Sequence, residues 1–483
     1  MKGYGMVTIA AVLFAAAYAV LGNLLAGRWG LDASRSTPAE DRGKSTGPVL
    51  LAARHAVCAA GAGLMAAPVL AMEAGWTPAL LCILLGTVIA GSVQGFGTLF
   101  VCLRCGGVSP AAALREMGCG RSFEALAGLL RLVTAALTAE LTAHALCSLL
   151  DAAGMTAALS APGHGVYLAA VCIPVLAASF VREGGMRRAV CALSGVLLFG
   201  FMAVLLLGAG ATRAPMTIPP FAAPQDMSPA DLAVLLLGCA FSFSYQSLLA
   251  ADASGRLARE THAVPVGMGS VLVGGLLAVL AMAAAGGAHG ATLLRVQADP
   301  AMVIAGGAAS ALAEGRAAQM ISIGMLAAMV LFGFASLDST VILSLSAMRE
   351  RNARPLRRRR REKAAPILWR ICFLSLTGAL ACAGYRSLLA LCAVVGTMTA
   401  AGICLLCAVW MRRVGRGYAG FAAAALISLA AGVAAAAALA AGLLSGGQSL
   451  PVTAVMLALA AAAVLSALWL LARGLRELCA ADE

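Results

Sequence analysis

The sequence predicts an all-α polytopic membrane protein with about thirteen transmembrane helices. Hydrophobic residues make up 61% of the 483 residues, whereas Asp, Glu, Lys and Arg together make up only 11%. A soluble domain carries about a quarter of its residues as charged side chains, so the excess apolar surface must face lipid. A helix needs about 20 apolar residues to cross the hydrocarbon core. Apolar runs near that length occur in this order: 6–27, 48–73, 77–101, 122–150, 163–181, 189–210, 230–250, 264–286, 317–347, 364–383, 385–411, 417–444 and 450–472.

The helices after the first divide into two sets of five and a final pair. Because five is odd, the second set enters the membrane in the opposite orientation, as in an inverted, LeuT-like repeat. The first helix is too long for a signal peptide and has no clear cleavage site, so we expect a retained anchor. The predicted parts are 1–47 (N-terminal anchor helix and cytoplasmic loop), 48–210 (first repeat), 211–229 (external Pro-rich loop), 230–411 (second repeat) and 412–483 (two C-terminal helices and a short tail).

The predicted helices place the connecting loops on alternate sides of the membrane, and the basic residues are concentrated on one of these sides. One side collects 26 Lys and Arg residues, nine of them between Arg349 and Lys363, and the other side collects five. Cytoplasmic loops are rich in Lys and Arg, so the N-terminus is predicted outside and the C-terminus in the cytoplasm. The run Arg357 to Arg361 is interpreted as a cytoplasmic loop beside anionic lipid, not as a nucleic-acid site.

Two predicted helices contain breaks, which in inverted-repeat transporters mark the solute site. The helix 48–73 is interrupted near Gly61 and Gly63, which either unwind the helix or permit close helix packing. The helix 230–250 is interrupted by polar residues that include Ser244, Tyr245 and Gln246. A short external helix over 299–315 begins at Asp299-Pro300, either as a cap over a vestibule or as an ordinary surface helix.

Three ionisable residues in predicted helices are candidates for proton coupling, because a charge at membrane depth needs a partner, a watery cavity or a function. His55 precedes the Gly break by about two helical turns, and its ordinary pKa near 6.5 suits a switch. Glu140 and His144 are four residues apart and therefore share a helix face. They form either a proton relay or a structural pair.

Asp338 lies in a polar island, Ser336 to Thr340, within a long apolar helix. Its carboxylate is a candidate for a substrate or cation site, and the alternative is an ion pair with Arg54, Arg131 or Arg370. Gln94, Ser244, Tyr245 and Gln246 are further candidates for hydrogen bonding to a substrate. Cys102 and Cys105 have the spacing of half a zinc site but lack a second pair. We therefore predict neither a metal nor a cofactor.

Several motifs occur in the order found in one bacterial family. They are Thr37-Pro38-Ala39, His55, Gly61-Ala62-Gly63, Val93-Gln94, Phe96, Val166-Tyr167, Ile173-Pro174, Leu257 to Thr261 and Leu337-Asp338. On these residues the chain resembles the carbon starvation protein A (CstA) family, whose members are inner-membrane transporters associated with peptides or pyruvate. The departures fall at polar positions, including Arg54, Leu64, Gly95, Ser244 and Thr397. The resemblance thus implies a shortened, divergent member that keeps the scaffold but need not keep the substrate.

The predicted function is a secondary active transporter, driven by protons or sodium, that imports a small polar metabolite such as a peptide, an amino acid or pyruvate. No complete Gly-x4-Gly-Lys-Ser/Thr loop for ATP is present, since Gly43-Lys44-Ser45 has Pro38 where the first glycine would stand. The alternatives are a transport-incompetent sensor or regulatory subunit, and an intramembrane enzyme that uses His55, Glu140 and His144. The expected partners are the substrate, the coupling ion and the bilayer of the bacterial inner membrane, without nucleic acid.

Overall fold

The computed structural model describes residues 2–41, 46–116, 120–155, 163–180, 185–211, 216–222, 229–241, 244–287, 299–352, 361–445 and 449–479. Helices account for nearly all of the secondary structure in these ranges, and one isolated bridge joins Thr46 to Leu257. The predicted all-α class is therefore confirmed. Most of the basic run near Arg357, and parts of the predicted loop 211–229, lie outside the described residues.

The α-helices follow one another in this order: α1 Gly3–Trp29, α2 Pro38–Asp41, α3 Pro48–Ala59, α4 Ala66–Ala71, α5 Trp76–Leu85, α6 Gln94–Arg104, α7 Pro110–Glu116, α8 Gly120–Ala152, α9 His164–Ser179, α10 Gly185–Ala211, α11 Pro229–Phe241, α12 Ser244–Ala253, α13 Ser270–Ala285, α14 Pro300–Leu312, α15 Gly315–Asn352, α16 Arg361–Ala381, α17 Tyr385–Arg413, α18 Ala419–Ser445 and α19 Leu450–Cys479. Short π or 3-10 turns occupy Ala60–Leu64, Met72–Ala74, Gly86–Val93, Glu260–His262 and Pro265–Gly269.

Within the described ranges, nine helical segments are long and apolar enough to cross a membrane, and five further apolar helices are shorter. Together they make this a multi-pass membrane protein. Burial separates the centre of the bundle from its periphery. The most apolar stretch of α17 is 89% buried, whereas those of α1, α18 and α19 are each 28% buried. The exposed apolar side chains of α1, α18 and α19 match a lipid environment. α17 lies at the centre of the bundle.

Aromatic side chains attach α1 to this centre. The ring of Trp29, at the end of α1, makes edge contacts with Phe96, Phe100 and Phe421, at centroid distances between 5.4 and 5.5 Å. The same ring stacks on Trp410 of α17 at 5.9 Å. Such aromatic pairs favour edge-to-face or offset geometry because the ring edge is electropositive and the face electronegative. The N-terminal helix is thus part of the bundle core at this end.

The predicted break in the second helix is confirmed, and it has the form of a π turn. α3 ends at Ala59, the π turn covers Ala60–Leu64, and α4 continues from Ala66. Gly63 has φ = +86°, a conformation that strains any residue with a Cβ. A Cβ at Gly63 would also lie 2.9 Å from the side chain of Leu137. Glycine is therefore required here for backbone conformation and for close approach to α8.

The second predicted break falls between α11 and α12. α11 ends at Phe241 and α12 begins at Ser244, while Ser242 and Phe243 lie outside the described residues. The short helix predicted over 299–315 is observed as α14. Its N-cap, Asp299, accepts a hydrogen bond from the backbone N–H of Ala301 at 3.1 Å, which pairs one N–H of the first helical turn.

Candidate functional site

Polar residues in the middle of α15 lie against the end of α3 and the π turn. The Sγ of Cys58 donates a hydrogen bond to Oγ of Ser339 at 3.0 Å. A Cβ at Gly61 would lie only 2.4 Å from the carbonyl oxygen of Phe332 and 2.6 Å from Cβ of Ser336. Gly61 therefore allows the backbones of two helices to approach closely, in agreement with the packing role considered for it.

The start of α12 reaches the same polar island. The hydroxyl of Tyr245, itself 2% exposed, forms a hydrogen bond with the hydroxyl of Thr340. Thr340 in turn donates to the backbone carbonyl of Ser336 at 2.8 Å. Asp338 is half-buried on the same helix. The structure thus brings Tyr245 to the polar island that contains Asp338, although about ninety residues separate them in the sequence.

Three predicted site residues carry buried polar atoms without a hydrogen-bond partner within the described part of the chain. They are Nδ1 of His55, Oε1 of Gln94 and Nε2 of Gln246. The residues are 6%, 4% and 3% exposed, respectively. An unpaired buried polar group costs about 1–3 kcal/mol, so such atoms are candidates to bind water or a polar solute. The side chain of Ser244 lies outside the described residues.

Gln246 and Gln94 occupy different surroundings. The amide nitrogen of Gln246 lies 2.8 Å from the position that a Cβ on Gly274 would take, and the side chain of Leu64 lies 3.1 Å from that position. Gln246 is thus adjacent to the π turn. The amide nitrogen of Gln94 instead donates to Sγ of Cys404, on α17, at 3.6 Å.

A cavity of about 40 Å³ adjoins the break. Its walls include Gly61 and Gly63 of the π turn, Thr142 of α8, Ala301 of α14 and Met329 of α15. This volume accommodates a few water molecules, whereas small-molecule sites enclose roughly 300 Å³ or more. A metabolite therefore enters this region only if the surrounding helices move apart. α14 forms one wall of this cavity.

Glu140 and His144 lie on the same face of α8 and contact each other. The distance from His144 Nε2 to Glu140 Oε1 is 3.3 Å. The second carboxylate oxygen, Oε2, lies 2.7 Å from Nε2 of His164, at the start of α9. The Glu140 side chain is 4% exposed, whereas those of the histidines are 33% and 40% exposed. The cluster is therefore a buried carboxylate covered by two partly exposed imidazoles.

The sequence analysis identified the pair but missed His164. His164 follows Glu140 by 24 residues and has no helical periodicity relative to it. One signal was available, because consecutive antiparallel helices place the end of the first beside the start of the second. A histidine at the first turn of the fifth helix was therefore a reasonable neighbour for the last turns of the fourth.

Asp299, the N-cap of α14, connects that helix to this cluster. Its Oδ2 accepts a hydrogen bond from Oγ of Ser148, one turn beyond His144 on α8, at 2.9 Å. Burial raises the pKa of Asp299 above its usual range, and His144 and the hydrogen bonds from Ala301 and Ser148 act in the opposite direction. The N-terminus of α14 is thus attached to the turn of α8 that carries the titratable groups.

A second polar network joins two segments that both carry motifs of the family resemblance. The hydroxyl of Thr37 donates to the carbonyl of Leu257 at 2.5 Å. Arg104, at the end of α6, donates to the carbonyl of Gly30 at 2.8 Å and to Oε2 of Glu260 at 3.0 Å. Glu260 also accepts from the backbone N–H of Asp32 at 2.9 Å. These bonds attach the loop after α1 to the segment between α12 and α13.

Part of the sequence is similar to known transporters. Over a limited segment, the chain is 39% identical to peptide transporter CstA of Campylobacter jejuni across 94 residues, and 37% identical to pyruvate/proton symporter BtsT of Escherichia coli across 91 residues. Each alignment covers 18% of this chain and 13% of the relative.

A solved manganese transporter of Eremococcus coleocola, in complex with an aromatic bis-isothiourea substituted compound, has a similar fold. The TM-score is 0.58 at 13% identity, and the superposition covers 89% of this chain and 94% of the transporter chain. At this identity the likeness concerns the fold alone.

The family model of the carbon starvation protein CstA matches residues 2–209. This range contains the anchor helix, the Gly-broken second helix and the Glu140 cluster. The matched range includes Thr37, His55 and Gly61. Over this region, which is 208 of the 483 residues, the chain is similar to the CstA family.

Proposed function

We propose that this protein is a proton- or cation-coupled secondary transporter of the bacterial inner membrane that imports a small polar metabolite such as a peptide, an amino acid or pyruvate. The observation that carries the proposal is the π-turn break at Gly63, beside a cavity and near buried polar atoms that lack partners. Discontinuous helices at membrane depth are a common way to present polar groups to a solute. The names of the two curated relatives support a peptide or pyruvate as the cargo.

The proposed architecture has thirteen crossings with an inverted repeat of five helices, plus one N-terminal and two C-terminal helices. Four of the shorter apolar helices support the count, since they fall where the sequence predicts additional crossings: Pro48–Ala59, His164–Ser179, Gly195–Gly210 and Ala365–Ala381. With thirteen crossings, the N-terminus lies outside and the C-terminus in the cytoplasm.

Cysteine labelling tests this orientation. In a variant that lacks the other cysteines, a cysteine introduced at Phe221, which is 72% exposed, should react with a membrane-impermeant maleimide on intact cells. The native Cys479, which is exposed near the C-terminus, should react only after the membrane is permeabilised. Labelling of both positions from the same side would contradict the seven crossings proposed between Phe221 and Cys479.

The proposed substrate site lies around the two breaks. Gly61 and Gly63 shape it, and His55, Gln94, Ser244, Tyr245, Gln246 and Asp338 provide the hydrogen-bonding groups. Support for this set comes from the contact of Tyr245 with the α15 polar island and from the unpaired atoms of His55, Gln94 and Gln246. Because the cavity holds only a few waters, we propose that the substrate enters when α14 moves away from α8 and α15.

Proton coupling is proposed for His55 and for Glu140 with His144. A carboxylate in contact with two imidazoles has neighbouring sites between which a proton can move, and the partly exposed histidines give access to solvent. His55 differs in being buried next to the break, where a change in its hydrogen bonding would accompany substrate binding.

His55→Ala should abolish uptake, or uncouple it from the ion gradient, while the protein is still produced and inserted. The substitution removes a buried hydrogen-bonding ring and leaves a small cavity, which a bundle of this size tolerates. The measurement is accumulation of radiolabelled pyruvate, alanine or dialanine in proteoliposomes with an imposed proton or sodium gradient. Loss of accumulation on adding an uncoupler or a sodium ionophore identifies the coupling ion.

His262→Ala is the matched control, because His262 lies on the short 3-10 turn Glu260–His262, outside the two breaks. It should transport at the rate of the wild-type protein. Full uptake by His55→Ala with an unchanged pH dependence would remove His55 from the site. Failure of the wild-type protein to accumulate any of these solutes would remove the basis for assigning them as cargo.

A further inference from the structure

Glu140, His144 and His164 present three ligand atoms of the kind that transition metals bind. One carboxylate oxygen and one ring nitrogen from each histidine all lie within 4.8 Å of one another. Two of the three residues come from α8 and the third from the first turn of α9. The rings of His144 and His164 are 4.9 Å apart, and the ring of Tyr385 packs edge-on against His144 at 5.5 Å.

The chemistry of this set selects the class of ion. Two imidazole nitrogens with one carboxylate suit zinc and neighbouring divalent transition metals, whereas calcium and magnesium favour oxygen ligands alone. Tetrahedral zinc with bonds of about 2.0–2.1 Å places its ligand atoms roughly 3.4 Å apart. The carboxylate oxygens already lie 2.7 and 3.3 Å from the two ring nitrogens. All three ligand atoms lie within 4.8 Å of one another, so small side-chain movements would bring them to this spacing.

Burial and access also fit a metal. Glu140 is 4% exposed and fixes one ligand inside the bundle, while the two histidines lie partly exposed at its surface. A cation would also compensate the charge of a carboxylate held away from water, which is costly when left uncompensated. Nearby, the carboxyl group of Asp299 is held in place by a hydrogen bond from Ser148.

We propose that Glu140, His144 and His164 bind one divalent transition-metal ion of the zinc class, with a remaining coordination position open to water. The ion joins α8 to α9 at the end of the bundle where α14 is attached. The site uses the side chains of Glu140 and His144, which are also proposed to carry protons, so a bound ion would compete with protons for these groups.

Titration of the purified full-length protein with cobalt tests the proposal, because cobalt replaces zinc and its absorption spectrum reports the ligands. In metal-free detergent buffer, one Co²⁺ per chain should give visible bands of a nitrogen and oxygen site, without thiolate charge-transfer absorption. Added ZnCl₂ should abolish these bands by displacement. Glu140→Gln and His164→Ala should each weaken Co²⁺ binding at least tenfold, whereas His262→Ala should bind as the wild-type protein does.

His164→Cys guards against misfolding as an explanation for lost binding. It should restore Co²⁺ binding and introduce a thiolate-to-cobalt charge-transfer band that the wild-type protein lacks. The proposal is overturned if wild-type protein binds no Co²⁺, if its only bound Co²⁺ is thiolate-ligated, or if Glu140→Gln and His164→Ala both bind with wild-type affinity. None of these outcomes depends on a transport measurement.

Discussion

Glu140→Gln is expected to abolish proton-driven accumulation of substrate while leaving substrate exchange intact. The amide has nearly the same shape as the carboxylate but cannot take up or release a proton. Accumulation needs net proton movement, whereas exchange of internal for external substrate needs only the binding site. Proteoliposomes loaded with unlabelled substrate measure exchange, and the same vesicles with an imposed pH gradient measure accumulation.

The contacts of Glu140 extend this prediction to its neighbours. His144→Ala combined with Glu140→Gln should add little to the defect, because residues that act as one unit are not additive. Glu477→Gln is the control, since Glu477 lies on α19 in an exposed pair with Arg413. Unaltered accumulation in Glu140→Gln, or a double variant whose defects add fully, would leave the Glu140 cluster without a part in proton coupling.

Glu260→Ala is expected to destabilise the protein by about 3–5 kcal/mol, because it leaves a buried partner charge uncompensated. Glu260 is 2% exposed, and the Arg104 side chain bonded to it is 18% exposed. The substitution also removes the acceptor for the backbone N–H of Asp32, so one attachment of the loop after α1 is lost together with the ion pair. The free energy of unfolding in mixed micelles, measured by reversible titration with SDS, reports the change.

The matched control for this prediction is an ion pair at the surface. Arg413 and Glu477 approach to 3.0 Å, and their side chains are 46% and 41% exposed. Exposed pairs contribute about 0–1 kcal/mol, so Glu477→Ala should be close to neutral in the same assay. An equal decrease in the free energy of unfolding in Glu260→Ala and Glu477→Ala would show that burial does not strengthen the contact between Arg104 and Glu260.

Features that arise within one helix could be predicted from sequence. Apolar runs identified the membrane helices, since each run contains its own evidence of length and hydrophobicity. Spacing by four residues put Glu140 beside His144, now 3.3 Å apart. Asp299 before Pro300 predicted the start of α14, because both residues act on the first turn of their own helix. The break at Gly63 was predicted, but its π-turn form was not.

Contacts between helices could not be predicted in the same way. The close approach of Gly61 to Phe332, the bond between Thr37 and Leu257, and the position of His164 beside Glu140 all join different elements. In a soluble protein, an apolar stripe tells which face of a helix is buried. In a membrane, the lipid-facing side is as apolar as the packed side, so the pattern does not distinguish the two.

The sequence by itself therefore determined the class of the protein, the positions of most of its helices and the chemical types of residue that its membrane segments hold. Only the tertiary structure decided which of these residues meet: it joined Tyr245 to the α15 polar island and completed the Glu140 cluster with His164. The physical reason is that helix periodicity acts over a few residues, whereas helix packing depends on side-chain shape across the whole bundle.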